Sequence, residues 1–259
     1  MQRKKVFTVV LFSDIHYDSH DRRMWEQFIE LHKTVRPDLT VLNGDITESA
    51  TASKYEPEEG DSPYAVHDIR VAAREMNRLL SAGKYLVLPG NHDVRWHKLL
   101  RRGVAPNILR GAKGLTFSEQ MIAQGLSPRW EWVFETECVP GVFLGTGNAR
   151  TLIRHGDHQF RLGSKHQAAA MLARTPHVNQ VNGHYHRQQL IYKTSLGKTN
   201  WAMTLGTFQK PRNFSMDADW QPGFGVLYFW GGDTIKRCTR VMPLIVPYVD
   251  GQFCTGALI

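Results

Sequence analysis

Residues 86–93 read LVLPGNHD and decide the fold class of this 259-residue chain. A short apolar run enters Pro89-Gly90, a pattern typical of a buried strand that ends at a turn. Asn91, His92 and Asp93 follow at once, so the strand delivers an amide, an imidazole and a carboxylate to its carboxyl end. Open α/β sheets build their sites at this end of their strands. The stretch therefore predicts an α/β protein with a functional site just beyond the strand.

The same pattern occurs earlier in the chain. The apolar run Val6 to Phe12 leads into Asp14-Ile15-His16, and the run Leu39 to Leu42 leads into Asn43-Gly44-Asp45. Between them, apolar residues at helical spacing predict a helix over Trp25 to Val35. Strand, helix and strand form a βαβ unit, for which we expect parallel strands and a right-handed connection. Each predicted strand thus ends in residue types that bind metal ions.

The pattern continues in the second half. A strand over Thr151 to Arg154 is followed by His155, and a strand over Val178 to Val181 is followed by Asn182-Gly183-His184-Tyr185-His186. Short strands with turns fill the remainder, and we expect them to be antiparallel and to complete a second sheet. The other predicted elements are helices over Ala65–Leu80 and Lys165–Thr175 and strands over Val142–Gly145, Trp201–Leu205, Gly225–Trp230 and Lys236–Val241.

Composition limits the remaining choices. The length suits a single domain, residues 1–259, with a possible substrate-facing insertion at about 94–137. Three widely spaced cysteines form neither a disulfide framework nor a zinc cluster, so we expect a reducing, cytoplasmic location. No apolar stretch approaches the length that spans a bilayer, so we expect no membrane segment. The net charge of +8 favours an anionic partner, such as a nucleic acid or a phosphate ester.

The candidate metal ligands are all oxygen or nitrogen donors, without a thiolate. They exceed what one ordinary site needs, but they suit two cations that share a bridging carboxylate. Such a mixed donor set favours Mn, Fe or Zn over Mg or Ca. The set consists of Asp14, His16, Asp45, Asn91, His155, His184 and His186.

The order of these motifs resembles that of the calcineurin-like metallophosphoesterase superfamily. Asp-x-His, Gly-Asp, Gly-Asn-His-Asp, a lone His-Gly and Gly-His-x-His follow one another between Asp14 and His186. Each motif alone is weak, but all five in this order are specific. The resemblance implies a four-layer αββα sandwich with two packed mixed β-sheets and the site at the carboxyl ends of the strands.

The resemblance also implies roles for individual residues. His92 would be the catalytic histidine, and Asp93 would orient it. Asp45 would bridge the two metal ions. Asp14, His16, Asp45 and His186 would hold the first ion, and Asp45, Asn91, His155 and His184 the second.

A run of basic residues follows Asp93. It is either a solvated helix face or a contact surface for a phosphate backbone, and its position beside the predicted site slightly favours the second reading. The candidate substrate-binding residues are Arg95, Lys98, Arg101 and Arg102.

Three functions are compatible with these features. The first is hydrolysis of phosphodiester bonds, in nucleic acid or nucleotides, by in-line attack of a hydroxide held between two divalent cations. His92 would protonate the leaving oxygen or stabilise its charge. The second is a phosphomonoesterase acting on a small-molecule or protein phosphate. The third is a scaffold that has lost its metals, which would predict missing ligands, and none is missing. The sequence leaves the oligomeric state open.

Overall fold

The computed structural model describes residues 5–49, 65–95, 97–98, 116–133, 141–156, 166–210 and 219–256. The helices in these ranges are α1 (Arg22–Val35), α2 (Ala65–Asn77), α3 (Phe117–Ala123) and α4 (Gln167–Arg174). The strands are β1 (Phe7–Phe12), β2 (Leu39–Asn43), β3 (Lys84–Leu88), β4 (Trp130–Trp132), β5 (Val142–Leu144), β6 (Thr151–Arg154), β7 (Asn179–Asn182), β8 (Gln189–Ser195), β9 (Lys198–Thr204), β10 (Gly223–Trp230), β11 (Arg240–Val249) and β12 (Gln252–Phe253).

Both sheets formed by the described residues are mixed. The first has the order β12-β11-β10-β1-β2-β3-β4, and its strands β1 to β4 run parallel. Strand β10 pairs antiparallel with β1, with Val9 opposite Leu227. The second sheet has the order β5-β6-β7-β9-β8, and its strands β6, β7 and β9 run parallel. Each sheet therefore contains a block of adjacent parallel strands whose carboxyl ends point the same way.

Alternation along β1 shows how the layers are built. Val9 and Leu11 point into the core between the two sheets, where they meet residues of the second sheet such as Val181. Val10 and Phe12 point to the opposite face. Successive side chains of a strand lie on opposite faces, so an unbroken apolar run is what a strand buried on both sides requires.

Helices cover the outer faces of both sheets. Helix α1 is capped by Asp21, whose side chain accepts a hydrogen bond from the backbone N–H of Met24. The helix buries Trp25 and Phe28 against the first sheet. Helices α2 and α3 belong to the same apolar cluster. Helix α4 packs on the outer face of the second sheet through Met171. The predicted four-layer αββα sandwich is confirmed.

The second half of the chain corrects two expectations. Strands β10 and β11 join the first sheet beside β1 instead of completing the second sheet. The strand predicted to begin at Lys236 begins at Arg240, because Ile235–Arg237 is a 3₁₀ turn. Within the region of the predicted insertion, Phe117–Ala123 is helical and β4 extends the first sheet. Among the described residues, no helix has the length and apolar character needed to cross a membrane.

Candidate metal centre

The five predicted motifs meet at one end of the sandwich. They follow β1, β2, β3, β6 and β7, and each lies at the carboxyl end of its strand. These strands belong to the parallel blocks of the two sheets, so their carboxyl ends converge. Their side chains come together there. The described residues form three groups of potential metal ligands, of which two consist only of predicted ligands and the third is His16, Glu48 and His92.

The first group consists of Asp14, His16 and His186, whose donor atoms lie within 4.8 Å of one another. Nε2 of His186 is 3.2 Å from Oδ1 of Asp14. The Asp14 carboxylate also accepts a hydrogen bond from the backbone N–H of His184 at 2.9 Å. Asp14 and His16 are buried, so both are held in place by the surrounding protein. These three side chains are among the four predicted for the first ion.

The second group consists of Asp45, His155 and His184. Nε2 of His155 lies 3.2 Å from Oδ2 of Asp45 and 3.1 Å from Oδ1 of Asn91. Nδ1 of His155 donates to the carbonyl oxygen of Asn43 at 2.7 Å. A hydrogen bond of this kind on one ring nitrogen leaves the other directed at a metal ion, as in many metal sites. These side chains are the ones predicted to hold the second ion.

Most of the predicted ligands have an unusual backbone conformation. Non-glycine residues seldom adopt a positive φ angle, and such residues cluster at functional sites. Five of the seven predicted ligands do so here. They are Asp14 (φ 54°), His16 (49°), Asp45 (53°), His184 (71°) and His186 (56°).

Two glycines allow the strand ends to approach. A Cβ atom on Gly90 would lie 2.1 Å from Oδ1 of Asp45 and 2.3 Å from its backbone nitrogen. Gly44 has a φ of +88°, and a Cβ atom there would lie 2.4 Å from Nδ1 of His155. The glycines of the Gly-Asp and Gly-Asn-His-Asp motifs are therefore needed because no side chain fits between the ligands.

Buried carboxylates dominate the electrostatics of the centre. Burial alone would lower the pKa of His155, but the carboxylates of Asp45 and Asp14 raise it to about 10. Burial opposes a charged His16 as well, yet Glu48, Asp45 and Asp14 raise its pKa to about 9. Conversely, burial would raise the pKa of Asp45, but His155 and His92 hold it well below its usual range. The centre thus favours positive charge.

The residues present fit a pair of divalent cations. Carboxylate, amide and imidazole donors converge, and the groups contain no thiolate. Nε2 of His16 is buried and has no hydrogen-bond partner among the described residues. A buried polar atom without a partner is costly unless something else binds it, and a cation would.

The structure corrects the role of Asp93. Its buried carboxylate accepts hydrogen bonds from the backbone N–H groups of Asp45, Ile46 and Gly90 at 2.7–2.9 Å. Burial, reinforced by the charge of Asp45, raises the pKa of Asp93 to about 6. The predicted pairing with His92 is wrong, because the turn directs the carboxylate into the backbone around Asp45. Asp93 thus links the Gly-Asp motif that contains Asp45 to its own Gly-Asn-His-Asp motif.

Glu48 occupies the position expected for Asp93, and sequence reasoning missed it. Its carboxylate lies 2.9 Å from Nδ1 of His16 and 3.3 Å from Nδ1 of His92. Its backbone carbonyl accepts a hydrogen bond from Nδ1 of His92 at 2.8 Å. Burial would raise the pKa of Glu48, but the two imidazoles lower it strongly. The available signal was an acidic residue three positions after Asp45.

The candidate substrate-binding residues differ in placement. Arg95 lies at the centre, where Nη2 donates to Nε2 of His92 at 3.0 Å and Nη1 donates to the carbonyl oxygen of Glu48 at 2.9 Å. Lys98 is exposed. Arg101 and Arg102 lie outside the described residues.

Comparisons with solved structures support the fold. Vacuolar Protein Sorting 29 from Cryptosporidium parvum is 14% identical, with a TM-score of 0.52 over 96% of this chain and 94% of that chain. A single mutant of Vps29 from Entamoeba histolytica is 15% identical, with a TM-score of 0.46 over 95% of this chain and 96% of that chain. A dimetal phosphatase from Danio rerio is 12% identical, with a TM-score of 0.41 over 94% of this chain and 99% of that chain. At such identities the first likeness concerns the fold alone, and the other two carry no further weight.

No match was found among curated proteins. A family model described as calcineurin-like phosphoesterase matches residues 7–245, which include all seven predicted ligands and His92. With its five motifs assembled at the strand ends of an αββα sandwich, the chain belongs to the calcineurin-like phosphoesterase family.

Proposed function

We propose that this protein is a metal-dependent hydrolase of phosphodiester bonds in nucleotides or nucleic acid. The observation that carries the proposal is the contact between the two donor groups: the backbone N–H of His184, which belongs to the group around Asp45, donates to the carboxylate of Asp14 at 2.9 Å. Two cations side by side suit phosphoryl transfer, because both the attacking and the leaving oxygen need charge stabilisation.

The seven ligands divide between two cations, for which we favour Mn, with Fe or Zn as alternatives. Bound there, the cations would supply a nucleophilic oxygen at neutral pH and neutralise charge on the phosphoryl group. Asp45 would serve both cations, since its carboxylate lies 3.2 Å from Nε2 of His155 and its backbone carbonyl accepts a hydrogen bond from the N–H of His16 at 3.2 Å. The first cation would be held by Asp14, His16, Asp45 and His186, and the second by Asp45, Asn91, His155 and His184.

His92 would act as the general acid. The carbonyl oxygen of Glu48 can only accept a hydrogen bond, so Nδ1 of His92 carries a proton and Nε2 faces the centre. Nε2 would deliver a proton to the leaving oxygen of the substrate. Glu48, and not Asp93, would fix the orientation of the ring.

Arg95 would bind the phosphoryl group. In the structure it donates to Nε2 of His92, and a protonated Nε2 would be a donor facing another donor. The guanidinium would then move to the substrate, where a phosphoryl oxygen offers the acceptor that His92 no longer provides. Binding of an anionic substrate and protonation of His92 would therefore favour each other.

The basic composition motivates the diester assignment. A net charge of +8, together with Arg95 at the centre and Lys98 exposed nearby, suits a substrate with several phosphates. A protein that neutralises several phosphates loses affinity steeply as salt rises. Salt-sensitive binding of DNA or RNA would favour nucleic acid over a small phosphate ester.

The test is hydrolysis with added Mn of bis-p-nitrophenyl phosphate, p-nitrophenyl phosphate and end-labelled DNA. We expect diester cleavage that is lost in His92→Ala. Turnover of the monoester alone would replace the proposal with a phosphatase. A folded protein that takes up no Mn and cleaves none of them would instead be a scaffold that has lost its metals.

A further inference from the structure

Trp220 stands at the edge of the metal centre. Its ring centroid is 4.4 Å from that of His186, with an angle of 67° between the planes. The residue is only partly buried. By contrast, Trp25, Trp130 and Trp201 lie within the apolar clusters, whereas Trp220 belongs to none of the clusters formed by the described residues. Its indole therefore lies against the metal centre and outside the apolar clusters of the described residues.

The backbone around Trp220 is fastened to the segment that carries His186. The N–H of Gln221 donates to the carbonyl oxygen of His186 at 2.7 Å. The side chain of Gln221 in turn accepts from the N–H of Gln188 at 2.8 Å. On the other side, Nε of Arg187 donates to the carbonyl oxygen of Asp219 at 3.2 Å. Hydrogen bonds on both sides of Trp220 hold its position relative to the metal ligands.

Aromatic rings form a continuous row across the centre. The ring of His92 is 4.8 Å from that of His16, which is 5.5 Å from that of His186, and Trp220 follows. Two metal-ligand imidazoles thus separate Trp220 from His92. Arg95 lies at the His92 end of the row. A substrate that lies along these rings would have the guanidinium of Arg95 and the imidazole of His92 at one end and the indole of Trp220 at the other.

We propose that Trp220 is a stacking platform for a nucleobase, on the part of the substrate that remains attached to phosphorus when the leaving group departs. This inference rests on the proposed function and narrows its substrate class to nucleotidyl esters. Stacking suits this position because every base presents a π-face to an indole, and a fixed indole loses little entropy on binding. Removing such a contact typically lowers affinity by about 5- to 150-fold.

Two chromogenic diesters with the same leaving group test the platform. Thymidine 5′-(4-nitrophenyl phosphate) carries a base, and methyl 4-nitrophenyl phosphate does not. We expect Trp220→Ala to lower kcat/KM for the thymidine ester about 10-fold or more, mainly through KM, and to leave the methyl ester nearly unchanged. Trp220→Phe should retain most of the preference. Tyr192→Ala, which removes an exposed aromatic residue from β8, should affect neither substrate.

An equal loss on both esters would overturn the inference, since Trp220 would then merely support His186. Calorimetric binding of thymidine 5′-monophosphate and methyl phosphate gives a readout that does not need turnover. The platform predicts about 10-fold tighter binding of the thymidine compound by the unaltered protein and loss of that difference in Trp220→Ala. Equal binding of both compounds by the unaltered protein would contradict it. If the binding preference holds but neither ester is cleaved, the proposed hydrolase fails and the platform stands.

Discussion

The carbonyl oxygen of Glu48 accepts a hydrogen bond from Nδ1 of His92 at 2.8 Å, while the carboxylate of the same residue lies 3.3 Å from that nitrogen. Two oxygens of one residue thus face one ring nitrogen. Glu48 is itself fixed, because its backbone N–H donates to the Asp18 carboxylate at 3.0 Å and its side chain accepts from Gln209 at 3.1 Å. The geometry sets both the tautomer and the direction of the imidazole.

Replacing Glu48 with Gln should therefore lower turnover more than substrate binding. We expect kcat to fall about 10- to 100-fold, because an amide cannot stabilise a protonated His92 as a carboxylate does. Steady-state kinetics with a diester, together with metal analysis of the purified variant, measures this effect. Glu30→Gln is the matched control, because Glu30 is exposed and pairs with Lys33. An unchanged kcat would show that Glu48 has a structural role and no role in turnover.

His92→Ala should lower kcat about 100- to 10,000-fold, the range expected for loss of a general acid. The metal content should stay near that of the unaltered protein, because His92 is not among the proposed ligands. Elemental analysis and single-turnover kinetics separate the two effects. Full activity in this variant would exclude His92 as the proton donor, and loss of the metals would make it a ligand.

The strand ends were predictable from sequence because their signals are local. Short apolar runs followed at once by Asp14, Asp45, Asn91 and His155 fix both the strand and the position of its last residues. Because neighbouring strands within each block run parallel, their carboxyl ends lie at the same edge of the sheet. The predicted ligands therefore converge as expected, although the boundaries of individual strands shift by one to a few residues.

The features that the sequence did not predict depend on contacts between distant parts of the chain. Strand β10 joins the first sheet through pairs such as Val9 with Leu227, and no local pattern states which sheet a strand will join. Glu48 follows Asp45 in a polar stretch without strand periodicity. Its acidic side chain three positions after Asp45 is the local signal, but its partner His92 lies 44 residues further along the chain. Trp220 contacts His186 beside the backbone hydrogen bond from Gln221 to His186, and these residues are likewise far apart in sequence.

Gly90→Ala should damage the metal centre by steric conflict. The added methyl would lie 2.1 Å from Oδ1 of Asp45, so the carboxylate of Asp45 must move. We expect a loss of stability of about 1–3 kcal/mol and a reduced metal stoichiometry. Thermal unfolding with and without Mn, together with metal titration, tests both expectations. Gly256→Ala, where nothing lies within 4 Å of the added atom, should change neither. Normal metal binding in Gly90→Ala would show that the turn adjusts.

A buried histidine away from the centre gives the fold its own pH dependence. Burial lowers the pKa of His32 to about 4, and its Nε2 contacts Oγ1 of Thr40 at 2.8 Å. In the unfolded chain the pKa of histidine is about 6.5, so the unfolded state binds a proton first as pH falls. The stability contributed by a neutral His32 is therefore complete above about pH 6.5 and is lost progressively down to about pH 4, by roughly 3 kcal/mol.

Chemical denaturation of the chelator-treated protein between pH 7.5 and 4 measures this loss. His32→Leu should flatten the pH dependence by about that amount, because leucine cannot take up a proton in either state. His177→Leu makes the same replacement at an exposed position and is the control for the substitution itself. If both variants keep the same slope as the unaltered protein, His32 is accommodated in its charged form, and the acid sensitivity arises from the carboxylates and imidazoles of the metal centre.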